Sequence, residues 1–369
     1  MSRLTHGSSQ ADEALNRASG SGKDRHVGAR LNFRAIEGEG GFVPLPAIEQ
    51  AEAEDEQQAV AKAEMLAYES ELSSWQPVTC VGEAERPPTR FVDGSVVSTT
   101  VGVCRVDGIY RPILIASLGA MEVDLDDRRL YRPPNGFKAM IAAALISNRI
   151  KTSLLDALRE ELSGSGIQLI ALESQDFGPN YEVLRRRTWD FLKQEMEGLE
   201  REILLARPQV PTLADGLLER RLTTVEAQQQ PVIGMVKRNL RQYLPDSLAA
   251  MLYELKPGQR SPAFVIKTVH AELVSWYLKL TGGSIGPGAG LVRLAMPRAY
   301  LERQFGDDRR FREISGISRM LCTIRSRQES YARYRVSLEP IVRLEEQLHA
   351  VLPPIDQFAA RLRLRLGRA

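Results

Sequence analysis

The stretch from Arg90 to Leu118 constrains the fold more than any other part of the chain. Arg90 to Asp93 is a short approach that enters Gly94-Ser95. Val96 to Val106 is rich in β-branched residues and roughly alternates, and Tyr110 to Leu118 returns after Asp107-Gly108. β-Branched residues fit a pleated surface, and Asp-Gly supplies the positive φ that a tight hairpin turn needs. The expectation is an antiparallel meander of three strands. A chain that opens this way and continues with alternating helical and strand patterns folds as a mixed α/β sheet.

The later pattern continues in that sense. Lys138 to Glu161 carries Met140, Ile141, Ala144, Leu145, Ile150, Leu154, Leu155 and Leu158 at helical spacing before Ser163-Gly164-Ser165-Gly166, which predicts one helix. Ile167 to Leu172 reads as a short buried strand ending at Glu173. Tyr181 to Ala206 predicts a long helix with Trp189, Leu192, Met196, Leu199 and Ile203 on one face. Thr212 to Asp215 reads as a strand running into Gly216, and Pro231 to Val236 as a strand with Lys237 at its carboxyl end. Ser261 to Lys267, Leu273 to Leu280 and Gly290 to Ala295 are further strands, the last two joined by the glycine-rich loop 281–290.

Charge is unevenly placed along the 369 residues. Lys plus Arg is 49 against 47 for Asp plus Glu, so the net charge of +2 announces no partner. Residues 1–30 are Gly, Ser and charge without periodicity, which predicts a flexible tail. Glu37 to Glu85 holds twelve acids and one base, Lys62, and the Ala, Glu and Leu of Ala59 to Ser73 suit a helix. Residues 31–85 are therefore expected to form an acidic helical arm, and residues 86–369 the body. From Arg303 to Arg343 ten arginines stand against five acids, with Tyr331 and Tyr334 among them. Arginine holds phosphates bidentately and aromatics stack on unpaired bases, a combination suited to DNA; the alternative is a solvated, salt-bridged face.

Several function classes fall away. Cys80, Cys104 and Cys322 show no CxxC spacing, so a reducing compartment and no cysteine zinc site are expected. The first residues lack an apolar signal core, and no stretch reaches the ~20 apolar residues of a membrane span, so the expectation is a soluble cytoplasmic protein. Gly282 to Gly286 spells G-x-S-x-G, but Pro287 and Gly288 follow where a nucleophile elbow needs a helix. No Gly-Lys-Ser/Thr follows a glycine-rich loop and no H-E-x-x-H occurs, which leaves a nucleotide-utilising enzyme without its phosphate loop. His270 stands alone.

Carboxylates remain. Asp93 and Asp215 share one local grammar, an apolar approach, an acid at the expected strand end and a glycine to turn on. Oxygen donors of this kind suit Mg²⁺ or Mn²⁺, and two such ions about 4 Å apart serve phosphodiester hydrolysis. A third carboxylate is expected from the long helix, which carries Glu195, Glu197, Glu200 and Glu202. Glu197 ranks first, with Glu195 and Glu173 as alternatives. Lys237 and Arg293, each beside an expected sheet rim, are the cations best placed to meet phosphate.

FVDGS at 91–95, LADGLL at 213–218, VIGMVKR at 232–238, YLKL at 277–280 and GLVRLAMPR at 290–298 occur in the order of the motifs of the NurA family of DNA nucleases, which this sequence resembles over roughly residues 86–300. The resemblance implies a ribonuclease-H-like mixed sheet flanked by helices, here with a helical N-terminal arm and a basic C-terminal extension. It implies that Asp93, Glu197 and Asp215 hold two Mn²⁺ or Mg²⁺ ions beside a catalytic Lys237. DNA contacts are expected from Lys237, Arg238, Arg293, Arg325, Arg327 and Tyr331. Members often add a late His or Asp to the cluster, for which the tail offers His349 and Asp356. The implied activity is 5'-to-3' exonuclease and single-strand endonuclease cleavage in DNA end processing and repair, by a homodimer docked on a HerA-type hexameric translocase. The alternative is a catalytically silent nucleic-acid-binding or scaffold protein of the same fold.

Overall fold

Two antiparallel strands of unusual length organise the molecule. The structure, a computed structural model, describes residues 64–366 apart from 107–108, 149, 151, 174–177, 220, 223, 226, 238–242, 283–287 and 327–336. Its strands and helices follow in chain order as β1 (Glu64–Ala67), β2 (Val78–Thr79), β3 (Arg90–Val106), β4 (Ile109–Asp126), β5 (Arg129–Tyr131), β6 (Phe137–Ile146), α1 (Thr152–Ser163), β7 (Gln168–Leu172) and α2 (Tyr181–Ala206). They continue as β8 (Thr212–Asp215), β9 (Val232–Val236), α3 (Asp246–Glu254), β10 (Gln259–Arg260), β11 (Phe264–Lys267), β12 (Glu272–Lys279), β13 (Leu291–Pro297), α4 (Arg298–Gln304), α5 (Asp307–Thr323), α6 (Glu339–Val351) and α7 (Ile355–Leu366).

All thirteen described strands belong to one mixed sheet, with the main order β1-β11-β12-β13-β9-β8-β3-β4-β6-β7. β3, β4 and β6 form an antiparallel meander whose strands differ from the three expected; β8 runs parallel to β3, and β9 parallel to β8. Strands β13, β12 and β11 then extend the sheet in antiparallel steps.

Three expectations change. Arg90 to Asp93 and Val96 to Val106 are one strand that runs straight through Asp93 and Gly94, with the irregularity between Thr100 and Gly102 instead. The helix expected over Lys138 to Glu161 is β6 followed by the shorter α1. The run AMIAAALI is apolar on both sides, and such a run fits helical spacing as readily as a strand covered on both faces. In the expected helix Ala59 to Ser73, residues 64–67 are strand β1, paired with β11.

Residues 64–86 are woven into the body. Glu69 accepts from both terminal nitrogens of the buried Arg260, at 2.6 and 2.7 Å, and from the Ala263 amide at 2.6 Å. The Glu313 carboxylate of α5 accepts from the Glu85 and Arg86 amides at 2.6 and 2.9 Å. Arg309 pairs with Glu85, and Arg319 donates to the Gly82 carbonyl at 2.9 Å.

Period-two alternation assigns the two faces of the sheet. Phe91, Met121, Leu213, Ile233 and Met235 pack with Ile314, Ile317 and Leu321 of α5 and Ile341, Leu344 and Leu348 of α6. On the opposite face, Val92, Ala120, Ala214 and Val232 pack with Ile203 and Leu204 of α2, while Leu114, Ala116 and Leu118 meet its Leu192 and Met196. Asn180 caps α2 by accepting from the Glu182 and Val183 amides at 3.0 and 3.2 Å. The other end of α2 is held by the fully buried Arg90, which donates to the Ile203, Leu204 and Arg207 carbonyls and pairs with Glu122. A guanidinium at the negative end of a helix satisfies carbonyls that no amide reaches, and here it ties that end to the first residue of β3. Among the described residues no helix is long and apolar enough to cross a membrane.

Candidate functional site

The site lies where β8 and β9 stop while β3 continues. Val92 pairs with Ala214, and Asp215 is the last residue of β8. One residue further, Asp93 comes level with Asp215, just past the last paired residues of the two strands. Asp93 shares the face of Phe91 and of its partner Met121, and Asp215 that of its partner Met235, so both point toward the layer formed by α5 and α6. Lys237 follows the last residue of β9.

Helix α6 covers this rim with Ile341, Leu344 and Leu348 buried, and Glu345 stands at the edge of that apolar stripe. One carboxylate oxygen from each of Asp93, Asp215 and Glu345 lies within 4.8 Å of the others, so the three could hold a metal ion. The Lys237 ammonium joins them, 2.6 Å from Asp215 Oδ2 and 3.2 Å from Glu345 Oε1.

Burial sets the electrostatics. Asp93 is 9% exposed, and among the described residues its carboxylate accepts one hydrogen bond, from the Gly94 amide at 2.9 Å. Burial first, and then the charge of Asp215, push the Asp93 carboxyl well above the usual aspartate range. Burial pulls the Lys237 ammonium down, but Asp215, Glu345 and Asp93 outweigh it and raise its proton affinity above that of an ordinary lysine. A dry acid with one local hydrogen bond, two further oxygens beside it and a single ammonium between them form a donor set of hard oxygens that a divalent cation would complete.

The two glycines of the Asp-Gly units do different work. Gly216 turns with φ +98, as the strand-end reading requires. Gly94 makes no turn: it lies within β3 beneath α2, where an added Cβ would overlap Met196 Sδ and stand 2.9 Å from Glu200 Oε1. Its missing side chain admits the helix, and the placement of Asp93 at a strand end is corrected accordingly.

The third carboxylate comes from α6, with Glu345 in the cluster where Glu197 was expected. Glu197 lies on α2, on the other side of the sheet, where its charge acts on Glu200 and Arg221. Glu195 is half-buried on the same helix, and Glu173 is exposed at the end of β7, three strands from β3. Glu200, which no spacing argument singled out, is 1% exposed and bonded to Arg221 Nε at 2.7 Å. The signal that would have found Glu345 is an acid adjoining Leu344 in a stripe of Ile341, Leu344 and Leu348, but such edge acids are common on amphipathic helices. His349 is exposed one turn beyond Glu345, and Asp356 is exposed on α7.

Among the expected DNA contacts, Arg293 is buried within β13 rather than set at a rim. It is 4% exposed, lies over the Tyr243 ring at 4.7 Å and donates to Ser275 Oγ at 3.3 Å. Arg325 is exposed after α5 and donates to the Cys322 carbonyl at 2.7 Å. Arg238, Arg327 and Tyr331 lie outside the described residues. Much of the basic stretch is engaged within the chain: Arg303 with Gln229, Arg309 with Glu85, Arg310 with Asp307, and Arg343 with Glu339 and Glu346.

The sequence matches no family model and no curated protein.

Proposed function

We propose that the chain is a metal-dependent deoxyribonuclease of the NurA kind, with Asp93, Asp215 and Glu345 holding Mn²⁺ or Mg²⁺. The observation that carries the reading is the convergence of three carboxylate oxygens within 4.8 Å at the end of two parallel strands. Topology supports it too. The five strands β6-β4-β3-β8-β9, numbered in chain order, run 3-2-1-4-5 with the first three antiparallel and the last two parallel to the first. This order supports the reading of a ribonuclease-H-like core, whose acids would stand at this edge.

When bound, such ions activate a water nucleophile and stabilise the departing oxygen of a phosphodiester. The chain's own residues prepare the site for it. Burial and the neighbouring Asp215 charge raise the proton affinity of Asp93, a cost that a bound cation would offset. Lys237 sits where its ammonium opposes the charge of an incoming phosphate. α6 ties the site to the arginine-rich segment that precedes it, the expected path of DNA. Homodimerisation and docking on a HerA-type hexameric translocase belong to the same proposal and rest on the ordered motifs alone.

The test is cleavage of single- and double-stranded DNA by purified protein with Mn²⁺, against an Asp93→Asn, Asp215→Asn double variant. Loss of more than about a hundredfold in rate is expected, since ligands matter more than the outer partners whose removal costs 10–100-fold. Undiminished cleavage by the double variant sinks the mechanism. A second reading, a silent DNA-binding scaffold, is favoured by one observation: Lys237 already supplies a cation to Asp215 and Glu345. Mn²⁺ titration separates the two, because a silent scaffold gives no metal-dependent cleavage at any concentration.

A further inference from the structure

Behind the carboxylate cluster, on the α2 face, lies a second pair of charges that the proposed reaction does not use. Glu200 and Arg221 are 1% and 6% exposed. Arg221 Nε donates to Glu200 Oε2 at 2.7 Å and Nη2 approaches the same oxygen at 2.5 Å, while Nη1 donates to the Leu217 carbonyl at 3.1 Å. One guanidinium thus holds α2 and the turn that follows Asp215.

The two ends of this bridge rest against the two glycines. A Cβ on Gly94 would stand 2.9 Å from Glu200 Oε1, and a Cβ on Gly216 would stand 3.5 Å from Arg221 Nη1. Glu200 therefore lies against the backbone next to Asp93, and Arg221 against the backbone next to Asp215. The ladder between β3 and β8 ends at Val92–Ala214, so the last pairing lies one residue before the two aspartates and the turn after Asp215 is held from the α2 side. The α2 end of the bridge is itself fixed, because Arg90 anchors the last turn of that helix to β3.

We infer that Glu200 and Arg221 are positioning residues for the metal centre: the forked guanidinium sets the spacing of Asp93 and Asp215 from behind, without touching the ion. This deepens the proposed metal site and rests on it. A fork is needed because the two acceptors, a carboxylate on one element and a carbonyl on another, must be held together by one planar donor set. An ammonium supplies the charge but not the two fixed directions. Glutamate at 200 is needed as an acceptor for that fork, and an amide oxygen can take its place.

Isothermal titration of Mn²⁺ into the full chain, with thermal unfolding in parallel, tests this in three proteins. Arg221→Lys keeps the charge and loses the fork; its Mn²⁺ affinity is expected to fall about tenfold, as for other outer partners of metal ligands, with a cooperative unfolding transition retained. Glu200→Gln keeps the acceptor and is expected to bind within a few-fold of the wild type. Unchanged Mn²⁺ affinity in Arg221→Lys, with only its unfolding temperature moved, shows a merely structural pair and overturns the inference. Abolished binding in Glu200→Gln makes Glu200 a ligand and overturns it as well. A wild-type chain that takes up no Mn²⁺ fails at an earlier point, removing the metal site and this inference with it.

Discussion

Asp93-Gly94 and Asp215-Gly216 share their letters and their apolar approach, yet the glycines answer to different forces. Gly216 is a backbone requirement: φ is +98, and the nearest side-chain atom to an added Cβ would be at an ordinary 3.5 Å. Gly94 is a packing requirement: its backbone is ordinary strand, and the conflict would come from Met196 and Glu200 of α2. The aspartates differ in the same pairwise way. Asp215 has an ammonium at 2.6 Å, whereas Asp93 has burial and one amide. A dipeptide that reads as a turn in one place serves as a close crossing of helix and sheet in the other, and neighbours distant in sequence decide which.

Substitutions that break one side of this comparison should spare the other. The largest effect is expected from Gly94→Val, which overpacks the crossing with α2 and should cost roughly 3 kcal/mol in urea unfolding. Shortening the obstacle sharpens the point. Gly94→Ala should be partly rescued by Met196→Ala, while the same Met196→Ala should do nothing for Gly216→Ala. Gly216→Ala alone should cost about 1–2 kcal/mol from its positive φ, and Gly216→Asn less, since Asn tolerates left-handed backbone better.

Charge gives smaller effects of opposite sign in protein stripped of metal by a chelator. Asp215→Asn removes one of the two partners of Lys237, leaving Glu345, and should lower stability by roughly 1 kcal/mol at neutral pH, less than for a fully buried pair because Asp215 is 17% exposed. Asp93→Asn should raise the thermal midpoint. A carboxyl whose proton affinity rises on folding weakens the native state wherever the unfolded chain can release that proton more easily. The penalty is absent below the unfolded value of about 3.9, grows as pH climbs toward the folded value, and then levels off. The advantage of Asp93→Asn should accordingly vanish near pH 3 and be present at pH 7. An advantage that shrinks as pH rises would contradict the burial of that acid.

How much of this could be read in advance follows from the same physics. The hairpin of β3 and β4, the helix Tyr181–Ala206 and the strands ending at Asp215 and Val236 were legible, because each is set by local periodicity and a terminating residue. β6 was not, since AMIAAALI has no polar side to declare its period. Asp215 and Lys237 could be placed near one another from strand ends alone, whereas Asp93 was placed beside them through a strand end that β3 does not have. Glu345 could not: it reaches the rim because α6 packs over β3 and β4, a contact between segments more than two hundred residues apart in sequence for which no local pattern exists. Arg293 shows the reverse error, a strand-end charge in the letters that the fold buries under Tyr243.

The most direct test of the central claim sets these two kinds of information against each other. Mn²⁺ binding is measured by titration calorimetry for the wild type, Glu345→Gln and Glu197→Gln. The structure predicts that the wild type binds, that Glu345→Gln weakens binding strongly, and that Glu197→Gln leaves it nearly intact. Binding lost in Glu197→Gln and kept in Glu345→Gln would contradict it.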